Sequence, residues 1–305
     1  MTSDHVLALD LGGTDLKAAR VLADGTVEGF SRRPSRTGES REAPFAAMAE
    51  AAAALVAEAP PLAVGLGCPG VIDPVTGTLV DRTAHLPHWR DLPLRDEVAR
   101  RFARRVAVDN DANVAALAEH TLGAARGARV SITVTLGTGI GCGIVIEGRL
   151  LRGAHGGAGE LGHAPLGRDG EPCVCGVPDC AEPEASASGL LRRARAAGIE
   201  AADVAAVFAR AASGDATAAR LVARMADRLG AVIATAVDLI DPEVVVVGGG
   251  VAQAGDALFA PLRVAVRRYA LPSHGGVRLV AAALGERAGT VGAGLLAWEA
   301  VRRAG

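Results

Sequence analysis

VLALDLGGTDLKAARVL, residues 6–22, is the stretch of sequence that decides the fold. A short apolar run from Val6 to Asp10 is broken at Gly12-Gly13-Thr14, and an extended pattern resumes from Leu16 to Leu22. An Asp-Gly turn then leads into a further run from Thr26 to Phe30. Apolar runs separated by glycine turns predict strand, turn, strand, turn and strand.

The same plan recurs after Ser131. An apolar run from Ile132 to Leu136 is followed by the glycine-rich turn 137–141, and a second run extends from Gly143 to Ile146. A Glu-Gly turn then leads into Arg149 to Leu151. Two hairpins built in the same way predict a duplicated α/β unit.

The remaining elements follow from apolar spacing and composition. Buried strands are predicted at Leu62 to Leu66 and Val244 to Val247, and a short strand is predicted at Val106 to Val108. Helices are predicted at Phe45 to Ala59, Leu94 to Phe102, Ala112 to His120, Asp203 to Ala212, Ala216 to Ile240, a segment after Gly250, and Ala288 to Arg303.

Composition indicates a globular protein of two domains. The chain has 305 residues, of which 50% are apolar and 22% charged, and its net charge is −2. That balance provides no large positive field for nucleic acid, and aromatic residues for base stacking make up only 3%. No signal-peptide pattern is present, and no apolar run reaches the roughly 18 residues of a membrane span. We therefore expect a cytoplasmic protein without membrane or nucleic-acid partners.

Three glycine turns are candidate phosphate loops, because backbone amides can approach phosphate closely where no Cβ intervenes. They are Gly12-Gly13-Thr14, Gly137-Thr138-Gly139 and Gly248-Gly249-Gly250, and none fits the P-loop or the dinucleotide-binding pattern. A single turn of this kind is more often a tight hairpin. Asp10 favours a phosphate loop over a simple hairpin at the first turn, because a carboxylate at a strand end beside such a turn can hold Mg²⁺ through water.

Asp109-Asn110-Asp111-Ala112-Asn113 follows a short predicted strand and begins a predicted helix. Helix capping would explain one of these polar residues, since Asn and Asp are preferred caps. A surplus of carboxylates and amides is what a sugar site requires. Amides and carboxylates bind vicinal hydroxyls, and one carboxylate can accept the proton of the attacking hydroxyl.

Three of the five cysteines crowd into eight residues downstream of an imidazole. His163, Cys173, Cys175 and Cys180 form a Cys₃His set, which favours a closed, structural zinc site. The alternative is three reduced cysteines in a loop. Cys68 and Cys142 lie in apolar contexts and are expected to pack in the core.

Taken in order, these motifs resemble the ROK family (repressors, uncharacterised reading frames and kinases), and within it the zinc-containing bacterial glucokinase-like members. The resemblance covers nearly the whole chain. Its motifs are residues 9–14, 67–70, 109–113, 136–141, 159–163, 173–180, Glu182 and 247–250.

The resemblance implies a duplicated actin-like (ribonuclease H-like) ATPase fold, α/β in class, with two domains and a cleft between them. The expected domains are a small one at residues 1–110, joined by the C-terminal helix 288–305, and a larger one at 111–287 that carries the zinc loop. The implied activity is Mg-ATP-dependent phosphorylation of a hexose primary hydroxyl, and glucose is the first candidate substrate. A homodimer or homotetramer is expected.

The resemblance also implies roles for individual residues. Asp111 would be the catalytic base. The sugar ligands would be Gly70, His85, Asn110, Asp111, Glu160, His163 and Glu182. The nucleotide ligands would be Asp10, Gly12, Gly13, Thr14, Thr138, Gly139, Gly249 and Gly250. His163 would serve both sugar and zinc through its two ring nitrogens.

Three positions depart from the family pattern. Asp15 stands where Lys or Asn is common, Asp179 where Gly is common, and His85 where an Asn contacts the sugar. Because of His85, an alternative remains in which the substrate is another hexose, an N-acetylhexosamine or a cyclitol. As a separate alternative, polyphosphate could replace ATP as the phosphate donor.

A sugar-sensing repressor is a different class of protein. It would need a helix-turn-helix before the first glycine turn, and only nine residues precede Asp10.

Overall fold

Two mixed five-stranded sheets dominate the part of the chain that the computed structural model describes, which is residues 4–57, 59–81, 83–167 and 171–303. The strands are β1 (Val6–Leu11), β2 (Asp15–Val21), β3 (Val27–Pro34), β4 (Ala63–Cys68), β5 (Arg105–Asn110), β6 (Val130–Leu136), β7 (Ile140–Ile146), β8 (Arg149–Leu150), β9 (Val244–Gly248) and β10 (Arg278–Ala281). The helices are α1 (Ala43–Ala53), α2 (Leu94–Phe102), α3 (Asp111–Thr121), α4 (Ala181–Ala185), α5 (Ala187–Ala196), α6 (Val204–Ala212), α7 (Ala216–Ile240), α8 (Asp256–Tyr269) and α9 (Ala288–Arg302).

The two sheets repeat one plan. The first has the order β3-β2-β1-β4-β5 and the second the order β10-β9-β6-β7-β8. In each, an antiparallel hairpin (β1 with β2, β6 with β7) adjoins a parallel strand (β4 or β9). The two predicted glycine-turn hairpins, and the duplicated α/β unit inferred from them, are confirmed.

Strand β1 is buried on both faces, which explains its continuous apolar run. Leu7 and Leu9 belong to a core with α1, whereas Val6 and Ala8 belong to a core with α9. Because successive side chains point to opposite faces of a strand, each face of the sheet acquires its own layer of helix. The strand is thereby fixed, and Asp10 near its end is held in place.

The alanine-rich composition predicted that helix α1 ends at Ala59, and this was wrong. The helix ends at Ala53. The N–H groups of Leu55 and Val56 both donate to the Ala52 carbonyl, at 2.8 and 3.1 Å. The chain therefore tightens at this point, ahead of Pro60-Pro61, whose nitrogens cannot donate hydrogen bonds to helix carbonyls. Among the described helices, none is both long enough and apolar enough to cross a bilayer.

By contacts the chain divides into two compact units. Unit 1 consists of residues 1–122, 149–158 and 286–305, and unit 2 of residues 123–148 and 159–285. The first unit therefore extends past residue 110, because α3 packs closely against α9. A side chain at Gly292 in α9 would overlap the carbonyl oxygen of Val114 in α3, so this approach requires glycine.

Candidate active site

The segment after β5 is organised by Asn110. Its side-chain oxygen accepts hydrogen bonds from the N–H groups of Ala112 and Asn113, at 2.8 and 3.2 Å, and so caps α3. Its amide nitrogen donates to the Gly70 carbonyl at 3.1 Å, which joins two of the predicted sugar ligands. Asp111 follows in the first turn of α3, and its Oδ1 accepts from Ala112 N at 2.9 Å. Asn110 thus makes the cap, and the backbone orients the Asp111 carboxylate.

Asp109 stabilises this segment through hydrogen bonds and is only 3% exposed. Its Oδ1 accepts from Asn110 N and from Asn113 Nδ2, both at 2.8 Å. Its Oδ2 accepts from Arg152 Nε at 2.6 Å. A buried carboxylate with three donors holds its surroundings firmly, because each donor would lose its partner if the carboxylate moved.

The first glycine turn lies between β1 and β2. The N–H of Gly12 donates to the Asp15 carbonyl at 2.8 Å and closes the turn. The hydroxyls of Ser35 and Thr37 donate to the Gly13 carbonyl, at 3.0 and 2.9 Å. The turn is therefore held from outside by two side chains.

Asp10 lies beside this turn, as predicted, and pairs across the hairpin with Lys17, whose Nζ is 3.5 Å from Asp10 Oδ2. Burial raises the pKa of the Asp10 carboxyl, and Lys17 opposes that shift. A side chain at Gly289 would overlap the same carboxylate. A half-buried carboxylate beside a glycine turn fits a magnesium ligand that acts through water, although the Lys17 ammonium competes for it.

His85 lies against the first glycine turn. A Cβ at Gly13 would come within 2.6 Å of His85 Nδ1, so glycine is needed for the ring to lie here. The backbone N–H of His85 donates to Thr83 Oγ1 at 3.1 Å. Four residues on, the buried ring of Trp89 stacks on Phe45 with centroids 4.7 Å apart and anchors the segment.

Unit 2 carries the second glycine turn, between β6 and β7. Its Ile140 N–H donates to Glu182 Oε2 at 3.0 Å, and a side chain at Gly139 would overlap the same carboxylate. The Ser188 hydroxyl donates to the Thr138 carbonyl at 2.6 Å. The structure thus brings together a predicted phosphate turn and the predicted sugar ligand Glu182, which the sequence had placed apart.

Glu160 precedes a single turn of 3-10 helix, Leu161–His163, and His163 ends it. His163 Nε2 lies 3.9 Å from Glu160 Oε2, and His163 Nδ1 faces Cys173 Sγ at 3.6 Å. Burial raises the pKa of the Glu160 carboxyl, His163 lowers it, and the Glu182 charge raises it further. The two ring nitrogens of His163 therefore face different partners.

The four predicted zinc ligands are gathered in unit 2. The ligand atoms of His163, Cys173, Cys175 and Cys180 lie within 4.8 Å of one another, and Cys175 Sγ is 3.6 Å from Cys180 Sγ. A tetrahedral zinc ion with bonds of about 2.3 Å would space its sulfurs about 3.8 Å apart. The donor set and its spacing fit one structural zinc ion.

The departures from the family pattern have local explanations. Asp179 adopts φ +63°, a left-handed conformation that glycine favours and that Asp tolerates. Asp15 is turned toward β3, where Arg32 donates to its Oδ2 at 2.7 Å.

The third glycine turn ends β9 and leads into a short 3-10 helix, Gly250–Ala254, before α8. Gly249 has φ +87°, and a side chain there would overlap the backbone of Leu136. Glycine at this position therefore allows two strands of the second sheet to end side by side, which places the second and third turns next to each other.

Several residues that act in these groups had not been identified from the sequence, among them Lys17, Arg152 and Ser188. Lys17 could have been found, because the register of a tight hairpin places it opposite Asp10. Arg152 and Ser188 carry no local signal, since their partners lie 43 and 50 residues away.

Comparison with known proteins agrees with this arrangement. Residues 6–300 match the ROK family. A glucokinase of Thermotoga maritima is 36% identical over 94% of this chain and 95% of that protein. A ROK hexokinase structure from Thermus thermophilus superposes with a TM-score of 0.85 at 39% identity, covering 98% of this chain and 99% of that one.

A ROK family glucokinase from Streptomyces griseus, solved in complex with glucose and AMPPNP, gives a TM-score of 0.85 at 33% identity over 97% of this chain and 99% of that one. The two mixed sheets are thus the actin-like ATPase fold of ROK sugar kinases, as the motifs implied. This chain belongs to the ROK family.

Proposed function

We propose that this protein is an ATP-dependent hexose kinase that converts glucose to glucose 6-phosphate. The observation that carries this proposal is the Asp111 carboxylate at the start of α3. Asn110 already caps α3 by accepting from Ala112 and Asn113, so the helix does not need Asp111 as its cap, although a carboxylate in the first turn also interacts favourably with the helix dipole. The role that we propose for this carboxylate is to accept the proton of a sugar hydroxyl.

The proposed reaction is an in-line phosphoryl transfer. The primary hydroxyl oxygen of the sugar attacks the γ-phosphorus of ATP, and the bond from that phosphorus to the bridging oxygen breaks, which releases ADP. The hydroxyl proton passes to Asp111. Asp10 would hold Mg²⁺ through water, and the bound ion would neutralise part of the phosphate charge.

Each unit carries proposed sugar ligands. Unit 1 would supply Gly70, His85, Asn110 and Asp111, of which Asn110 and Gly70 are already hydrogen-bonded to each other. Unit 2 would supply Glu160, His163 and Glu182. The zinc ion would have no chemical role, and its coordination together with the three cysteines would fix His163 so that Nε2 stays available to a hydroxyl.

The phosphates would be bound by the glycine turns, with Gly12, Gly13 and Thr14 in unit 1 and Thr138 and Gly139 in unit 2. Gly249 and Gly250 would lie near the adenosine. Support for these assignments is the way both turns are held from outside, by Ser35 and Thr37 in one case and by Glu182 and Ser188 in the other. A turn held in this way can present its other amides to phosphate with little further loss of conformational entropy.

His85 favours a second candidate, a kinase for another hexose, an N-acetylhexosamine or a cyclitol. An imidazole against Gly13 occupies more space than the amide common in the family, and it offers a different donor pattern. The reaction and the base would be the same, and only the bound sugar would differ.

A coupled assay with Mg-ATP over a panel of glucose, mannose, fructose, N-acetylated hexosamines and cyclitols tests the proposal. We expect the highest kcat/KM with glucose. Asp111→Asn should lower kcat by at least about 10²-fold, the contribution typical of a positioned base, while AMPPNP still binds. Turnover of another sugar alone would replace glucose by the second candidate. Turnover with polyphosphate and none with ATP would overturn the choice of donor.

A further inference from the structure

One short segment, residues 180–188, contacts the phosphate turn 137–140 of unit 2. The Ile140 N–H donates to Glu182 Oε2 at 3.0 Å. The turn approaches so closely that any side chain at Gly139 would overlap this carboxylate. The contact therefore requires both the glycine in the turn and the acidic side chain in the segment.

Two more hydrogen bonds join the same segment to the turn. The Ala187 N–H donates to the Gly137 carbonyl at 3.0 Å, and the Ser188 hydroxyl donates to the Thr138 carbonyl at 2.6 Å. Gly137 and Thr138 are themselves exposed. A turn with two glycines has a large conformational entropy, so external hydrogen bonds decide which conformation it keeps.

The segment is itself anchored at two points. Cys180, one of the four thiol and imidazole ligands, immediately precedes α4. At the other end of this five-residue helix, the buried Glu184 accepts from Arg224 Nε of α7 at 2.9 Å. Glu182 lies between these anchors, so its carboxylate has a fixed position relative to the turn.

We propose that Glu182 is a positioning residue for the nucleotide: by accepting from Ile140 N–H it holds the turn 137–140 in the conformation that binds phosphate, before any sugar is present. This inference rests on the proposed function, in which the same carboxylate also binds the sugar. It gives Glu182 a second role and makes it the point at which the sugar and phosphate subsites of unit 2 meet.

Charge and hydrogen bonding act in opposite directions at this position, which makes the proposal testable. A carboxylate near a phosphate site repels the nucleotide, so loss of the charge alone should tighten nucleotide binding. Loss of the acceptor should weaken it, because the turn would no longer be held. Glu182→Gln removes the charge and keeps an oxygen that can accept from Ile140 N, whereas Glu182→Ala removes both.

The experiment measures the Kd of Mg-AMPPNP by calorimetry, without sugar, for the wild-type protein and both variants. We expect Glu182→Ala to raise Kd about tenfold, the effect of one net hydrogen bond, and Glu182→Gln to keep or lower the wild-type Kd. Equal Kd values for the two variants would overturn the proposal. Zinc content and the thermal unfolding midpoint establish that each variant is folded.

Two further variants separate the contact from its surroundings. Gly139→Ala should raise Kd as Glu182→Ala does, because the new methyl group displaces the carboxylate. Glu160→Ala is the matched control, since Glu160 is also a proposed sugar ligand in unit 2 and lies against His163. It should leave the nucleotide Kd unchanged and weaken glucose binding. A rise in nucleotide Kd as large as that of Glu182→Ala would count against a specific role for Glu182.

The two proposals fail independently. Sugar turnover by the wild-type protein tests the hexose kinase activity, whereas nucleotide binding without sugar tests the positioning role. If the wild-type protein binds AMPPNP but phosphorylates no hexose, the proposed function is wrong. The comparison of Glu182→Ala with Glu182→Gln would still decide the role of Glu182.

Discussion

Arg152 donates its Nε–H to Asp109 Oδ2 at 2.6 Å, although 43 residues separate the two in the chain. The Asp109 side chain is 5% exposed and that of Arg152 is 29% exposed. The same carboxylate accepts from Asn110 N and Asn113 Nδ2. The ion pair therefore fixes the segment that presents Asp111, and it links that segment to residues 149–158, which also belong to unit 1.

Asp109→Ala should destabilise the protein and impair catalysis together. Removal of the carboxylate leaves the Arg152 guanidinium partly buried without its partner and frees the Asn113 amide. Breaking a buried pair in this way costs about 3–5 kcal/mol, and partial exposure of Arg152 places this case near the lower value. Urea unfolding of the variant measures the loss of stability, and kcat in the coupled assay measures the loss of positioning.

A double-mutant cycle shows whether the pair acts as a unit. Asp109→Asn keeps the shape and an acceptor for Asn113, so alone it should cost less than Asp109→Ala. Combined with Arg152→Gln, which removes the orphaned charge, it should cost less than the sum of the two single changes, by about 1 kcal/mol or more. Strictly additive free energies of unfolding would contradict a coupled pair.

His85→Asn should shift the sugar preference toward glucose. The change removes an imidazole that lies against Gly13 and restores the amide common in the family. We expect the glucose KM to fall relative to that of other sugars by about tenfold, within the range that one pocket group supplies. His88→Asn is the matched control, because His88 is exposed three residues away and contacts only the Gly38 carbonyl among the contacts described for it. An unchanged preference in His85→Asn would remove His85 from the sugar site.

The features predicted correctly from the sequence are those that depend on residues close together in the chain. The hairpin at Gly12 and the one at Gly137 were predicted because apolar runs and glycine turns act locally, and α7 was predicted with its bounds because its apolar spacing is regular over 25 residues. The anchoring of these features was not predictable. The contact between Glu182 and Ile140 joins positions 42 residues apart, and nothing in either stretch indicates the other.

Gly292→Ala should destabilise unit 1, because a methyl group there would overlap the Val114 carbonyl oxygen between α9 and α3. The overlapped atom belongs to the backbone of α3 and cannot rotate away as a side chain could. Only separation of the two helices relieves the overlap. We expect a loss of about 1–3 kcal/mol in the free energy of unfolding, even though alanine has the higher helix propensity. Gly276→Ala is the control, since a Cβ there meets nothing within 4 Å and should change stability little. Equal stability of the two variants would show that α3 and α9 can separate without cost.

The five cysteines should differ in reactivity toward iodoacetamide. Cys68 and Cys142 are buried and act as core side chains. Burial raises the pKa of both thiols, that of Cys142 to about 12, and the nearby Glu160 charge adds to the shift at Cys142. Since the thiolate is the reactive form, both should stay unmodified at pH 8 until the protein unfolds.

Cys175 should behave in the opposite way and report on the metal. It is exposed, and although burial raises the pKa of its thiol, the Val177 N–H and the neighbouring thiols lower it by more. With zinc bound, we expect Cys173, Cys175 and Cys180 to be protected, and after chelation Cys175 to be alkylated first. Peptide mass mapping with and without chelator follows each site. Alkylation of Cys175 at the same rate in zinc-loaded and chelated protein would contradict the Cys₃His assignment, because coordination to zinc withdraws electron density from the thiolate and lowers its nucleophilicity.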